Sequence, residues 1–129
     1  MIGTVTRAAV AGAMALTIAG AAPAIANDRD VIREGACSGG SDWKLKLSPE
    51  DGRLEVEFEV DSNVVGQIWN VRLFHDDVRF FADTRTTVGP SGSFELRRIT
   101  DNNAGTDSFR ARAVNPAMGE VCVGRASIG

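Results

Sequence analysis

From Trp43 to the end of the chain, apolar and polar positions alternate in short segments separated by turn-forming residues. A period of two is what a half-buried β-strand requires, because successive side chains leave a pleated strand on opposite faces. The clearest case is Trp43-Lys44-Leu45-Lys46-Leu47, then Ser-Pro-Glu-Asp-Gly, then Arg53 through Val60. Pro49 presets its φ and Gly52 accepts a positive one, so this loop predicts a chain reversal. Folding it as a hairpin sets Leu47 opposite Leu54, Leu45 opposite Val56 and Trp43 opposite Phe58 on one face. The same register sets Lys46 against Glu55 and Lys44 against Glu57 on the other, so apolar patterning and charge pairing agree.

Further strands are expected over Gly66–Phe74, Val78–Thr86, Ser93–Thr100, Ser108–Asn115 and Glu120–Ile128. Turns at His75-Asp76-Asp77, Pro90-Ser91-Gly92, Asp101 to Thr106 and Pro116 to Gly119 divide them. An extra edge strand fits near Val31 to Ala36. Antiparallel strands that are polar on one face must bury the other against a second sheet. The fold class is therefore all-β, an antiparallel sandwich of seven to eight strands. Trp69 shares a face with Val71 and Leu73 and is expected in the core, and Trp43, beside the Ser38-Gly39-Gly40-Ser41 loop, nearer its margin.

The first residues do not continue this pattern. Arg7 precedes an apolar stretch from Ala8 to Ala22, Pro23 breaks it, and Ala24-Ile25-Ala26 offers the small-x-small pattern of a signal-peptidase site. The stretch is short and rich in Ala and Gly for a membrane span, which needs roughly 20 strongly apolar residues. Residues 1–26 thus read as a cleaved signal peptide and 27–129 as one secreted domain, extracellular and free of the membrane after cleavage. The formal charge of −3 becomes −4 once Arg7 is removed, and no run of Lys or Arg suggests nucleic-acid binding. The two cysteines, Cys37 and Cys122, lie near opposite ends of the mature chain, and in an exported protein they are expected to pair.

The stretch Gly105-Thr106-Asp107-Ser108-Phe109-Arg110-Ala111-Arg112-Ala113-Val114-Asn115 resembles the penultimate strand of fibronectin type III modules. Trp69, Val71 and Leu73 are similar to the tryptophan-bearing core strand of immunoglobulin-like folds. The mature chain, with its Gly-x-Cys-Ser and Ser-Asp-Trp-Lys-Leu opening over Gly35 to Leu45, also resembles a group of small secreted actinobacterial proteins. The resemblance implies export and a sandwich and brings no activity with it.

Residues able to carry chemistry are sparse. His75, the single histidine, stands beside Asp76 and Asp77, a grouping that suits a metal site or a general base. Its place between two strands favours a solvated hairpin turn. Asp101, Asn103 and Asp107 are spaced like a calcium loop, but Gly105 stands where an oxygen donor belongs. Gly89 to Ser93 fails the nucleophile-elbow pattern, and Gly39-Gly40 has neither the helix nor the lysine of a phosphate loop. No catalytic residue, metal ligand or cofactor is expected. One asymmetry remains: Arg72, Arg110 and Arg112, with Arg125 as a further candidate, fall on outward positions of one sheet, and the glutamates on the other. Phe74, one of Phe80 and Phe81, and Val114 are expected beside these arginines, since the two adjacent rings cannot both point inward in a regular strand. Arginine with exposed aromatic residues is a composition of binding surfaces. The expectation is a non-catalytic binding or structural module whose partner is an acidic cell-envelope polymer or another secreted protein. The alternative is an inhibitor of a secreted hydrolase that presents an exposed loop such as Thr87 to Ser93.

Overall fold

The alternation of apolar positions folds into eight strands. In the computed structural model, which describes residues 29–129, these are β1 (Val31–Ala36), β2 (Asp42–Glu50), β3 (Arg53–Asp61), β4 (Ile68–His75), β5 (Val78–Thr86), β6 (Ser93–Asp101), β7 (Asp107–Asn115) and β8 (Glu120–Ile128). The expected signal peptide and its cleavage point lie outside the described residues. Two four-stranded antiparallel sheets form, ordered β1-β2-β3-β6 and β5-β4-β7-β8, and no helix occurs among the described residues. The sheets pack face to face through Leu45, Leu47, Leu54, Val56, Phe58, Val60, Phe94 and Leu96 on one side. Trp69, Val71, Leu73, Phe109, Ala111, Ala113, Cys122 and Ala126 meet them from the other.

The β2–β3 hairpin forms with the expected faces but a register displaced by two residues. Leu47 lies opposite Val56, Leu45 opposite Phe58 and Trp43 opposite Val60, and Lys46 and Lys44 face Glu57 and Glu59. The reversal is the two-residue loop Asp51-Gly52, with φ of 50° and 79°. Two positive φ values give a turn whose twist matches the flanking strands. Pro49 stays within β2, because β1 pairs with β2 only as far as Leu47 and leaves the strand edge open beyond it.

Chemistry of two kinds closes the sides of the sandwich. On one, the Cys37–Cys122 disulfide joins the end of β1 to β8. Beside it the half-buried Trp43 ring lies against Gly35 and Gly124, where a Cβ would come within 2.7 Å of indole carbons. Trp69 is fully buried, so the expected order of burial holds. On the other side, both Phe80 and Phe81 pack against the core, contrary to expectation. The register shifts between Leu73 and Phe74, which makes Phe80 an extra residue in β5. A bulge suspends the strict alternation that would have turned one ring outward. Phe81 lies under the guanidinium groups of Arg85 and Arg98, at 5.3 and 5.2 Å.

Candidate functional site

The outer face of the second sheet is built on strand register. On β4, Trp69, Val71 and Leu73 point inward, so Asn70, Arg72 and Phe74 point out; on β7, Phe109, Ala111 and Ala113 are buried and Arg110, Arg112 and Val114 alternate with them. The β4–β7 pairing sets Arg72 directly opposite Arg112 and Phe74 opposite Arg110. The β7–β8 pairing adds Arg125 opposite Arg110, and the bulge in β5 brings the exposed Arg79 opposite Phe74. The expected trio thus shares one face, with Arg125 beside it. Arg79 joins this face only through the bulge, which strict alternation does not signal. Of the expected neighbours, Phe74 lies under the Arg110 guanidinium at 3.9 Å and Val114 lies on this face, whereas Phe80 and Phe81 do not.

Like charges directly opposite each other across a sheet oppose folding. Here two such pairs, Arg72 with Arg112 and Arg110 with Arg125, sit side by side. None of these arginines makes an ion pair with a carboxylate among the described residues. Between Arg110, Arg125, Ser108 and Ser127 lies a concavity of about 250 Å³ with Asp77 at its rim. A larger one, about 490 Å³, lies by Trp43 on the first sheet, where Glu34, Asp42, Glu59 and Asp61 outnumber Lys44.

The first sheet carries the opposite charge. Glu59 faces Glu95 across the β3–β6 pairing, and Glu57 faces Arg97. Arg97 Nε lies 2.9 Å from Glu55 and 3.5 Å from Glu57. Partial desolvation raises the Glu95 carboxyl above its ordinary value, and repulsion from Glu57 and Glu59 adds to this. Glu55 is raised in the same way, with Arg97 opposing.

The remaining expected sites resolve differently. His75 is not in a solvated turn: it ends β4 on the inward face and is 9% exposed. Its ring stacks on Phe109 at 4.3 Å, Nε2 lies 2.6 Å from Asp107 Oδ1, and Nδ1 lies 3.3 Å from Thr100 Oγ1. The signal was present in the sequence, since His75 continues the series Trp69, Val71, Leu73 by one more step of two. Asp107 lies 32 residues further on, and no local pattern ties it to the ring. The calcium-like spacing does not converge: Asp107 is fully buried against His75, whereas Asp101 is solvent-exposed and pairs with Arg53 at 3.2 Å. The glycine-serine loop binds a carboxylate of the protein itself. Gly39 N, Ser41 N and Ser41 Oγ donate to Glu120 at 3.0, 2.8 and 3.0 Å and dock the loop beside the disulfide.

No protein-family model matches the chain, and neither a curated protein nor a solved structure does.

Proposed function

We propose that the protein is a secreted, non-catalytic binding module that engages an anionic partner through the arginine face of its second sheet. The observation that carries this reading is the two cross-strand register pairs of like charge that no carboxylate neutralises among the described residues, Arg72 with Arg112 and Arg110 with Arg125. A partner bearing carboxylate or phosphate groups would relieve that repulsion, and the planar guanidinium fork suits two-point contacts with either. All the glutamates within strands except Glu120 lie on the far sheet, so the charge is dipolar and steers an anion despite the net negative charge. Acidic polymers of the cell envelope are the partner class of choice, with an acidic secreted protein as the other. Export is supported by the leader-like first 26 residues, and the disulfide is compatible with it. The strand order supports an immunoglobulin-like or fibronectin type III-like sandwich to which β1 adds an edge strand.

The test is a variant carrying Arg72→Glu, Arg110→Glu and Arg112→Glu, matched to the parent in melting temperature. The parent should be retained on purified anionic cell-wall polymer at low salt and released as salt screens the contacts, and the variant should pass through. Equal retention of the two proteins at every salt concentration overturns the reading.

The hydrolase-inhibitor reading keeps one specific observation. Thr87 is 1% exposed and its hydroxyl donates to Val64 O at 2.6 Å, bracing a loop on which Val88 stands 58% exposed. If the loop is the working surface, Val88→Asp abolishes inhibition across a protease and amylase panel while the arginine variant inhibits normally.

A further inference from the structure

We propose that His75, Asp76 and Asp107 form a binding site for a divalent first-row transition cation of the zinc class. The three side chains offer one ligand atom each, all within 4.8 Å of one another. His75 Nε2 lies 2.6 Å from Asp107 Oδ1 and 3.6 Å from Asp76 Oδ2. An imidazole nitrogen with two carboxylate oxygens is a donor set that zinc and its neighbours accept, with water completing the shell. Calcium and magnesium take oxygen ligands, so the imidazole nitrogen at the centre of this set selects against them.

The buried carboxylate is the second, independent sign. Asp107 is fully buried, and its Oδ2 has no hydrogen-bond partner among the described residues. A buried carboxylate oxygen left without a donor is costly, and a cation gripped by both oxygens of this carboxylate would offset that cost. Ligand atoms around tetrahedral zinc stand about 3.3 Å apart, given bonds of about 2.0–2.1 Å. The Asp76 spacing nearly meets this already, and Asp107 has to withdraw from Nε2 by less than about 1 Å. The cation replaces the proton shared by Nε2 and Asp107, which leaves to solvent.

Each ligand also has an outer partner that fixes its orientation, as metal ligands generally do. His75 Nδ1 faces Thr100 Oγ1, and Phe109 stacks on the ring. Ser108 N donates to Asp76 Oδ1 at 2.9 Å, which leaves Oδ2 turned toward the imidazole. Asn103 N donates to Asp107 Oδ1 at 3.2 Å. The Asp76 side chain is 45% exposed and supplies the route in from solvent. A plain His–Asp pair pinning the end of β4 would need neither Asp76 nor the unpartnered oxygen.

Cobalt(II) is the probe, titrated into chelator-treated protein. One cobalt per chain should bind, with the visible absorption of a four- or five-coordinate site, and zinc should displace it. Asp76→Asn keeps an oxygen for Ser108 N and should weaken cobalt binding about tenfold or more. His75→Gln should abolish the spectrum; if that variant does not fold, Asp76→Asn decides alone. Glu95→Gln, on the acidic far sheet, should bind cobalt like the parent. Absence of saturable binding, equal affinity of parent and Asp76→Asn, or an equal loss in Glu95→Gln overturns the assignment.

Discussion

Trp43 shows how two glycines are fixed by a neighbour and not by their own backbone. Gly35 is paired with Trp43 along the sheet and Gly124 approaches it from the other, and a Cβ at either position would collide with the rigid indole. Overpacking of this kind typically costs about 1–3 kcal/mol. Gly124→Ala should therefore lower the unfolding free energy measured by urea denaturation by that amount, and a combined Trp43→Leu and Gly124→Ala protein should recover part of the loss. Trp69 occupies the opposite situation, buried at the centre with Phe94 at 6.4 Å. Trp69→Ala should cost about 3–5 kcal/mol and exceed Trp43→Ala in chemical denaturation.

At the level of elements, the two tight hairpins differ in how well their sequences suit their backbones. Both reverse through two residues of positive φ, Asp51-Gly52 in the first and Asp76-Asp77 in the second, with φ of 49° and 67° at the aspartates. The first has the glycine that such turns favour, and the second does not. Asp77→Gly should raise stability by roughly 1 kcal/mol, the scale of the penalty a side chain meets there. An unchanged or lower melting temperature would count against that turn geometry. The β3–β6 pairing carries a similar internal cost, in Glu59 facing Glu95. Because the folded protein raises the Glu95 carboxyl above its ordinary 4.5, its penalty is absent below that pH and grows as pH rises through the raised value. Glu95→Gln should thus stabilise at pH 7 by a few tenths of a kcal/mol, roughly the exposed-pair scale. The gain should vanish below pH 4.5.

Across the whole molecule, the disulfide and the charge asymmetry are the two features that no single element explains. Cys37 and Cys122 are 85 residues apart in sequence and join the edges of different sheets. In the chain-entropy account, closing such a loop stabilises by about 4–5 kcal/mol. Cys37→Ser with Cys122→Ser should show a corresponding fall in denaturation midpoint while β-type circular dichroism persists under native conditions. The charge asymmetry follows from topology: β3 and β6 bring their glutamates into one sheet, and β4, β7 and β8 bring their arginines into the other.

By itself the sequence determined the strands and most of their inward faces, because alternation and turn residues act locally, over a few neighbours, and its two cysteines left one pairing to make. Leu45, Leu47 and Leu54 through Val60 are buried where their pattern places them. The arginine face was legible for the same reason, since outward positions follow once inward ones are assigned. Register, by contrast, turned on whether Pro49 or Asp51-Gly52 made the turn, and a shift of two leaves every face unchanged, so patterning was blind to it. Phe80 and Arg79 depend on a bulge, which breaks alternation without changing composition. The meeting of His75 with Asp107, and of Glu120 with Gly39 and Ser41, joins residues 32, 81 and 79 apart. Only tertiary packing decided these, because such contacts arise when buried polar groups from distant strands must satisfy one another away from water.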